Sequence, residues 1–315
     1  MTPSSGGAGP AAVSLEDLGG SSKRRQKERF IRAAFLTCAA LSILISILIV
    51  LSVLGEALTF LTRVDLTSLW TTGWFPRRGL FDIKTIVAGT LLVTGIGMLV
   101  AVPLGLGAAM YLSEYARPKV RRLVKPILEI LAGIPSVVLG YFALTWISPT
   151  IVNRLWPEST SFNMAASGIA VGILVTPLIA SVAEDAMRAV PTAVREASYG
   201  LGARKRTVTT RIVFPAAISG IVAALIIGAS RAIGETMIVA IASGATGGSL
   251  FSLDPTKPGQ TMTAAMTALA TGSDQVKGTD GTFESLFFVG LLLFLMTLVL
   301  NLVSQRFVRR VRQKY

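Results

Sequence analysis

The sequence predicts an all-α membrane protein built from six transmembrane helices. Two observations lead to this fold class: 52% of the 315 residues are apolar while only 15% are charged, and six long stretches contain no charged residue. Soluble domains usually carry about 25% charged residues. Each uncharged stretch is close to or longer than the roughly 20 residues needed to cross the hydrocarbon core of a bilayer.

The predicted spans follow one another along the chain at residues 33–55, 85–113, 130–150, 163–183, 212–245 and 285–305. The fifth is predicted as one helix interrupted by charge, because its apolar sequence continues beyond Arg231 and Glu235. Residues 1–22 are rich in Gly, Ser, Ala and Pro, so they are predicted to form a disordered tail. Residues 23–315 then form a single transmembrane domain.

The distribution of cations predicts the orientation of the spans. Six spans place both termini on one side, and the segments on that side hold 22 Lys and Arg against 7 in the opposite, outer segments 56–84, 148–164 and 246–284, with Arg231 left between them. Because Lys and Arg accumulate on the cytoplasmic side of membrane proteins, both termini are predicted to be cytoplasmic. The net charge of +13 is thereby assigned to contact with anionic membrane lipid, and no nucleic-acid partner is expected.

Absent residues exclude several classes of function. The chain has no His, which removes His-dependent catalytic triads and the usual zinc sites, and no metal or catalytic residue is predicted. Its single Cys, Cys38, cannot form an intrachain disulfide. No G-x-x-x-x-G-K-[ST] sequence occurs, so nucleotide hydrolysis by this chain is not expected.

Small residues recur every four positions along the fifth span, at Gly220, Ala224, Gly228 and Ala232. Such a stripe lets two helix backbones approach closely. It is interpreted as a packing surface, either within the bundle or against a second subunit.

Arg231 and Glu235 are predicted to lie deep in the membrane, where a charge costs about 2.5–3.5 kcal/mol on insertion scales. Their i, i+4 spacing puts them on one helical face, where they can pair. Two interpretations follow: an ion pair that locks helices together, or a polar position on a substrate path. Arg suits a tetrahedral oxyanion because its planar group donates two parallel hydrogen bonds. A neighbouring carboxylate favours an anion that carries a proton, as hydrogen phosphate does and sulfate does not.

The connection between the fourth and fifth spans carries a spaced pattern. A short helix is predicted from Thr192 and ends near Gly200 or Gly202. The pattern itself is Glu196-Ala197-Ser198, three residues, Gly202, nine residues and Ile212-Val213-Phe214-Pro215.

This pattern resembles the EAA loop of permease subunits of ABC importers, E-A-A-x3-G-x9-I-x-L-P. Ser198 replaces the second Ala and Phe214 replaces the Leu. In that family the loop docks into the ATP-hydrolysing subunit. The resemblance therefore implies the MetI-like permease fold and assigns ATPase coupling through the 190–206 loop to Arg195, Glu196, Ala197, Ser198, Gly202, Arg204 and Pro215.

Further segments are similar to permeases of phosphate importers: 101–115, 131–140 and 230–237. Met237 after Gly-Glu-Thr, and Pro258-Gly259-Gln260-Thr261, look more like the PstC type than the related PstA type. The similarity covers roughly residues 80–312 and leaves the first 22 residues and the loop at 60–80 without a clear match.

The resemblance implies a non-catalytic subunit of an ATP-driven phosphate importer in a bacterial or archaeal cell membrane. Implied partners are a PstA-like permease, a PstB-like ATPase dimer that uses ATP and Mg, and an extracytoplasmic PstS-like phosphate-binding protein. No cofactor is expected on this chain, and Arg231 and Glu235 would lie on the substrate path. Two alternatives remain: a permease for sulfate, molybdate or another oxyanion, and an autonomous secondary transporter.

Overall fold

The computed structural model describes residues 22–70, 73–244, 247–271 and 281–311. Nearly all of the predicted tail, residues 1–21, lies outside the described residues. The chain divides into two compact units, Met1–Ser52 and Val53–Tyr315. Helix α1, Ser22–Arg63, extends across this boundary.

The described part of the first unit is the beginning of α1. Every side chain from residue 26 to residue 52 is exposed, including large apolar ones such as Phe30, Phe35 and Ile43. A helix that is apolar all round is typical of a membrane span whose surface lipid covers.

The second unit carries a small antiparallel sheet that the sequence did not predict. Its strands are β1 (Gly73–Phe75), β2 (Leu80–Phe81) and β3 (Ser249–Leu250), in the order β2-β1-β3. Trp74 pairs with Phe81 on one side and Ser249 on the other. Trp74, Phe81 and Phe60 of α1 are buried together and anchor the sheet to the helices. We call this end of the unit the sheet end.

Two helices form the centre of the unit: α2 (Ile83–Tyr115) and α5 (Met164–Arg188). They touch through glycine, since a Cβ on Gly172 would lie 2.7 Å from the Gly97 carbonyl oxygen and one on Gly97 3.2 Å from that of Gly168. No side chain fits between the backbones there. Both helices begin at the sheet end, and their last turns lie at what we call the loop end.

The predicted third span, 130–150, differs from the structure at its beginning. Residues 130–132 belong to a separate amphipathic helix, α3 (Pro118–Ala132), and the chain breaks at Gly133–Pro135. The spanning helix is α4 (Ser136–Leu155), with π-helical geometry over Ala143–Val152. Pro135 explains the break, because proline disfavours helical geometry in the residue before it.

The predicted single helix over 212–245 is three helices. A separate short helix, α6 (Thr192–Gly200), comes before this range. The first of the three helices, α7 (Lys205–Ala216), is bent by 70° against the second, α8 (Ile218–Ile233). After a break at residues 234–236 the chain resumes as α9 (Met237–Ala242). The chain then forms α10 (Met262–Thr271), inside the predicted outer connection 246–284, and α11 (Glu284–Val311).

Among the described residues, five helices are long and apolar enough to cross a membrane, and the number is six if α7 and α8 form one bent span. The predicted all-helical, six-span fold class is confirmed at this level.

Candidate functional site

The break between α8 and α9 carries the charged pair. Arg231 lies in the last turn of α8, and Glu235 lies in the break itself. Arg231 Nη1 is 3.0 Å from Glu235 Oε2, and 49% of the Arg231 side chain is exposed against 3% of Glu235. A cation in the last turn is favoured by the helix dipole. The pair therefore presents its positive member and buries its negative one.

The backbone groups released by the break have partners. Glu235 N donates to the Ala232 carbonyl at 3.2 Å. The Thr236 hydroxyl donates to the Gly234 carbonyl at 3.3 Å, and the Thr263 hydroxyl donates to the Glu235 carbonyl at 2.7 Å. Irregular backbone at membrane depth is tolerated where protein groups satisfy it in this way.

The small-residue stripe of α8 lies against α5. A Cβ added to Gly228 would lie 2.7 Å from a side-chain carbon of Ile179, and one added to Gly220 would overlap Ala186. Ala224 and Ala232 are also buried. The four small residues thus bring α8 close to α5, leaving Arg231 on a different part of the helix surface.

A cavity of about 440 Å³ adjoins the break on the side of α9 and α10. Apolar side chains dominate its lining, and its charged member is Arg77, from the turn between β1 and β2. The cavity lining includes Met237, two residues after Glu235. Sequence reasoning placed Arg77 in an outer connection and did not find α10.

The predicted coupling residues form a compact loop at the loop end. The helix α6 ends at Gly200, and Gly202 adopts a left-handed φ of +77° that lets the chain turn into α7. The Ser198 hydroxyl donates to the Val194 carbonyl, and the Ser198 carbonyl accepts the Ala203 amide. The exposed surface of the loop includes Glu196, Ala197, Leu201, Gly202 and Arg204, and Pro215 is exposed in the last turn of α7.

Arg195 fixes this loop to the bundle. Its Nη2 donates to the Met187 carbonyl at 2.8 Å and lies 3.1 Å from Glu114 Oε1 on α2, while Nη1 donates to the Val190 carbonyl. Of the two side chains, 16% of Arg195 and 5% of Glu114 are exposed. Arg195 therefore ties α6 to both α2 and α5, and is mostly covered, unlike Glu196.

A second ion-pair cluster, which the sequence did not reveal, joins α3 to α5. Glu184 is fully buried and accepts from Arg121 Nε and from Lys125 Nζ, each at 2.8 Å. Lys125 also donates to Asp185 at 2.6 Å. Burial lowers the pKa of Lys125, but the bonds to Asp185 and Glu184 outweigh it and raise the pKa above its ordinary value. The spacing of Arg121 and Lys125 on one helix face was the available signal, although it named no partner.

The sequence also matches a known family. A family model described as the binding-protein-dependent transport system inner membrane component covers residues 101–314. The chain belongs to this family. The matched part includes both the 190–206 loop and the break at 234–236.

Relatives within this family include phosphate permeases. The phosphate transport system permease protein PstC 1 of Mycobacterium tuberculosis is 32% identical over 257 residues, 75% of each chain. PstC of Xylella fastidiosa is 27% identical over 317 residues, 94% of this chain and 95% of its own. The predicted resemblance to PstC-like importer permeases is confirmed.

Two solved structures share the fold. An inward-facing methionine ABC transporter, MetNI, superimposes with a TM-score of 0.52 at 21% identity, covering 72% of this chain and 92% of that chain. A bacterial ABC transporter that imports alginate gives 0.63 at 17% identity, covering 92% and 100%. The chain is an inner-membrane permease subunit of an ABC importer.

Proposed function

We propose that this permease carries inorganic phosphate. The proposal is supported by relatives named phosphate permeases at 27–32% identity, and above all by the Arg231–Glu235 pair at the helix break. A guanidinium that is half exposed retains surface from which to bind an oxyanion.

Glu235 decides which oxyanion suits this position. A carboxylate 3.0 Å from the Arg231 guanidinium repels a fully ionised anion. Hydrogen phosphate carries a proton that it can donate to such a carboxylate, whereas sulfate does not. In this mechanism Arg231 attracts phosphate, and Glu235 either accepts the phosphate proton or holds Arg231 in place.

Energy comes from other subunits in this proposal. A PstB-like ATPase dimer binds ATP and Mg and docks on the 190–206 loop, whose exposed residues include Glu196, Leu201 and Arg204. A PstA-like permease completes the translocation path, and an extracytoplasmic phosphate-binding protein delivers the anion. The termini are cytoplasmic, and closure of the ATPase dimer rocks the helices so that Arg231 faces each side in turn.

The test is uptake of labelled phosphate by the complete transporter in proteoliposomes. Arg231→Ala should abolish uptake while the complex still assembles. A companion, Arg231→Ala with Glu235→Gln, removes the carboxylate that would otherwise be buried without its partner. The matched control is Arg63→Ala, which breaks another Arg–Glu pair, 2.8 Å from Glu284, and should leave uptake unchanged.

Wild-type uptake by assembled Arg231→Ala would contradict the substrate role. Copurification separates the alternatives. A bound ATPase and a requirement for ATP exclude an autonomous secondary transporter, and sulfate or molybdate on the copurified binding protein would replace phosphate as the substrate.

A further inference from the structure

A buried segment crosses the region that the sequence predicted as an outer connection. We call it the strap: residues 259–265, every one of which is buried. It passes α9, where Gly259 N donates to the Ser243 carbonyl at 3.3 Å. It then meets α2, where a Cβ on Gly89 would overlap the Gln260 carbonyl. A segment so enclosed is part of the core and not a surface connection.

Hydroxyl groups attach the strap both to helix α2 and to the break between α8 and α9. Met262 N donates to the Thr90 hydroxyl of α2 at 3.0 Å. One residue later, the Thr263 hydroxyl donates to the Glu235 carbonyl in the break between α8 and α9, at 2.7 Å. The strap therefore connects the central helix α2 to the backbone of the residue that pairs with Arg231.

The bond to Glu235 ends a chain of hydrogen bonds. Ala264 N donates to the Thr261 hydroxyl at 3.3 Å, and the hydroxyls of Thr261 and Thr263 are 3.1 Å apart. Because Thr263 uses its proton on the Glu235 carbonyl, Thr261 is the donor between the two hydroxyls. Bonds in such a series polarise one another, and this one begins at the positive end of α10. The Thr263 hydroxyl is therefore a better donor than an isolated threonine.

The Glu235 carbonyl needs this donor. The side chain of Glu235 is only 3% exposed, so the residue is shielded from water. It also lies beyond the end of α8, where the regular hydrogen bonds of the helix stop. A buried carbonyl without a partner is costly, so the break would relax toward another backbone arrangement. That relaxation would move Glu235 and, through the ion pair, Arg231.

We propose that Thr263 is a positioning residue for the Arg231–Glu235 pair. Its hydroxyl stabilises the backbone conformation of the break in which Glu235 is buried and Arg231 is half exposed. The proposal rests on the proposed function for the consequence in transport, while the hold on the break is a property of this chain alone.

The same helix supplies a matched control. The Thr267 hydroxyl, one turn further along α10, donates at 3.0 Å to the Thr263 carbonyl within its own helix. Thr267 also lines the cavity beside α9, but its hydroxyl bonds within α10, so Thr267→Val makes the same chemical change without removing a bond to the break. Thr263→Ser keeps the hydroxyl, Thr263→Val replaces it at nearly equal volume, and Thr263→Ala removes it with less bulk.

Two measurements on the complete transporter test the proposal. Phosphate uptake should fall roughly tenfold in Thr263→Val and Thr263→Ala, and stay near wild type in Thr263→Ser and Thr267→Val. Separately, Cys38→Ser gives a chain without cysteine, so Gly234→Cys, at an exposed position of the break, becomes its one thiol and keeps the Arg231–Glu235 pair. The rate at which a water-soluble thiol reagent labels Cys at position 234 should change roughly fivefold with Thr263→Val and not with Thr263→Ser or Thr267→Val.

Both changes are required. Unchanged uptake or unchanged labelling in assembled Thr263→Val overturns the proposal. So does failure of both Thr263→Val and Thr263→Ala to assemble while Thr267→Val assembles, because the hydroxyl would then support folding in general. Normal uptake by Arg231→Ala would instead contradict the proposed function, and the labelling rates, which need no phosphate, would still report whether Thr263 holds the break.

Discussion

Two Arg–Glu pairs of similar length differ in their exposure and in their other contacts. Arg231 and Glu235 are 3.0 Å apart, and Arg195 and Glu114 are 3.1 Å apart. The first pair joins neighbours in sequence and leaves half of the Arg exposed, while the second joins α6 to α2 across 81 residues and covers both partners. Exposure and the other contacts of the guanidinium, more than the ion-pair distance, separate the two roles.

The contacts of the two guanidinium groups explain the difference. Arg195 bonds to the carbonyls of Met187 and Val190 as well as to Glu114, so its donors face the protein. Arg231 meets Glu235 through Nη1, and half of its surface is accessible. Donors already used on carbonyls fix a loop in place, whereas an accessible guanidinium suits a ligand that comes and goes.

Replacing Arg195 should give the largest effect on stability. Arg195→Ala removes the cation beside the buried Glu114 carboxylate and one donor from each of two carbonyls, and breaking a buried pair costs about 3–5 kcal/mol. Arg231→Ala should cost less, about 1–2 kcal/mol, because truncating a side chain that is 49% exposed opens the buried Glu235 carboxylate to water. Thermal unfolding of the purified permease in detergent measures both. Equal losses would remove the distinction between the pairs.

Glu184→Gln should destabilise the fold by about 2 kcal/mol, less than Arg195→Ala does. The carboxylate is fully buried, but the cations that it binds, Arg121 and Lys125, are 28% and 23% exposed and can regain water. Thermal unfolding checks the value, and Glu129→Gln on the exposed surface of α3 is the control. A loss as large as that of Arg195→Ala would mean that partial exposure of the two cations does not reduce the loss of stability.

The pH dependence of this cluster has a definite sign. The pKa of Lys125 is raised above the ordinary 10.5, so its bonds stabilise the fold fully below that value and are lost as the pH rises through the higher folded pKa. The stability difference between wild type and Lys125→Gln should therefore stay constant from neutral pH to about pH 10 and shrink above it. A difference that already shrinks near pH 8 would contradict the raised pKa.

The smallest effect is expected at the turn of the 190–206 loop. Gly202 has a φ of +77° and open space where a Cβ would lie, so Gly202→Ala is strained by conformation alone and should cost about 1 kcal/mol. Gly200 lies in α6, also with open space, and Gly200→Ala should be neutral or stabilising by about 0.5–1 kcal/mol. Chemical denaturation compares the two, and the same sign for both would overturn the assignment of the turn to Gly202.

Elements that depend on a single stretch of sequence were predicted better than contacts between stretches that are far apart in the chain. Apolar runs set the spanning helices because length and hydropathy act within one segment, and the EAA-like spacing located the loop for the same reason. Arg231 and Glu235 were found as charges inside such a run. Glu114 and Arg195 were not linked, because their contact depends on how α2 and α6 meet.

The strap and α10 were missed for a physical reason. Met262–Thr271 has ten residues, too few to span a membrane, and its neighbours Gly259 and Gln260 have the composition of a turn. Their burial comes from contacts with α2, α5 and α9, which no local pattern reports. The break at 234–236 was not predicted because the apolar sequence resumes directly after it, at Met237.

The glycine contact between α2 and α5 has a mechanical consequence. Because the Gly97 carbonyl lies 2.7 Å from where a Cβ of Gly172 would stand, the two helices pack backbone against backbone, and sliding or rolling one against the other would bring their atoms into overlap. We therefore expect rearrangements of the bundle to occur at the 70° bend between α7 and α8 and at the interruption after Ile233. These two joints enclose α8, which would act as a short lever between the 190–206 loop and Arg231.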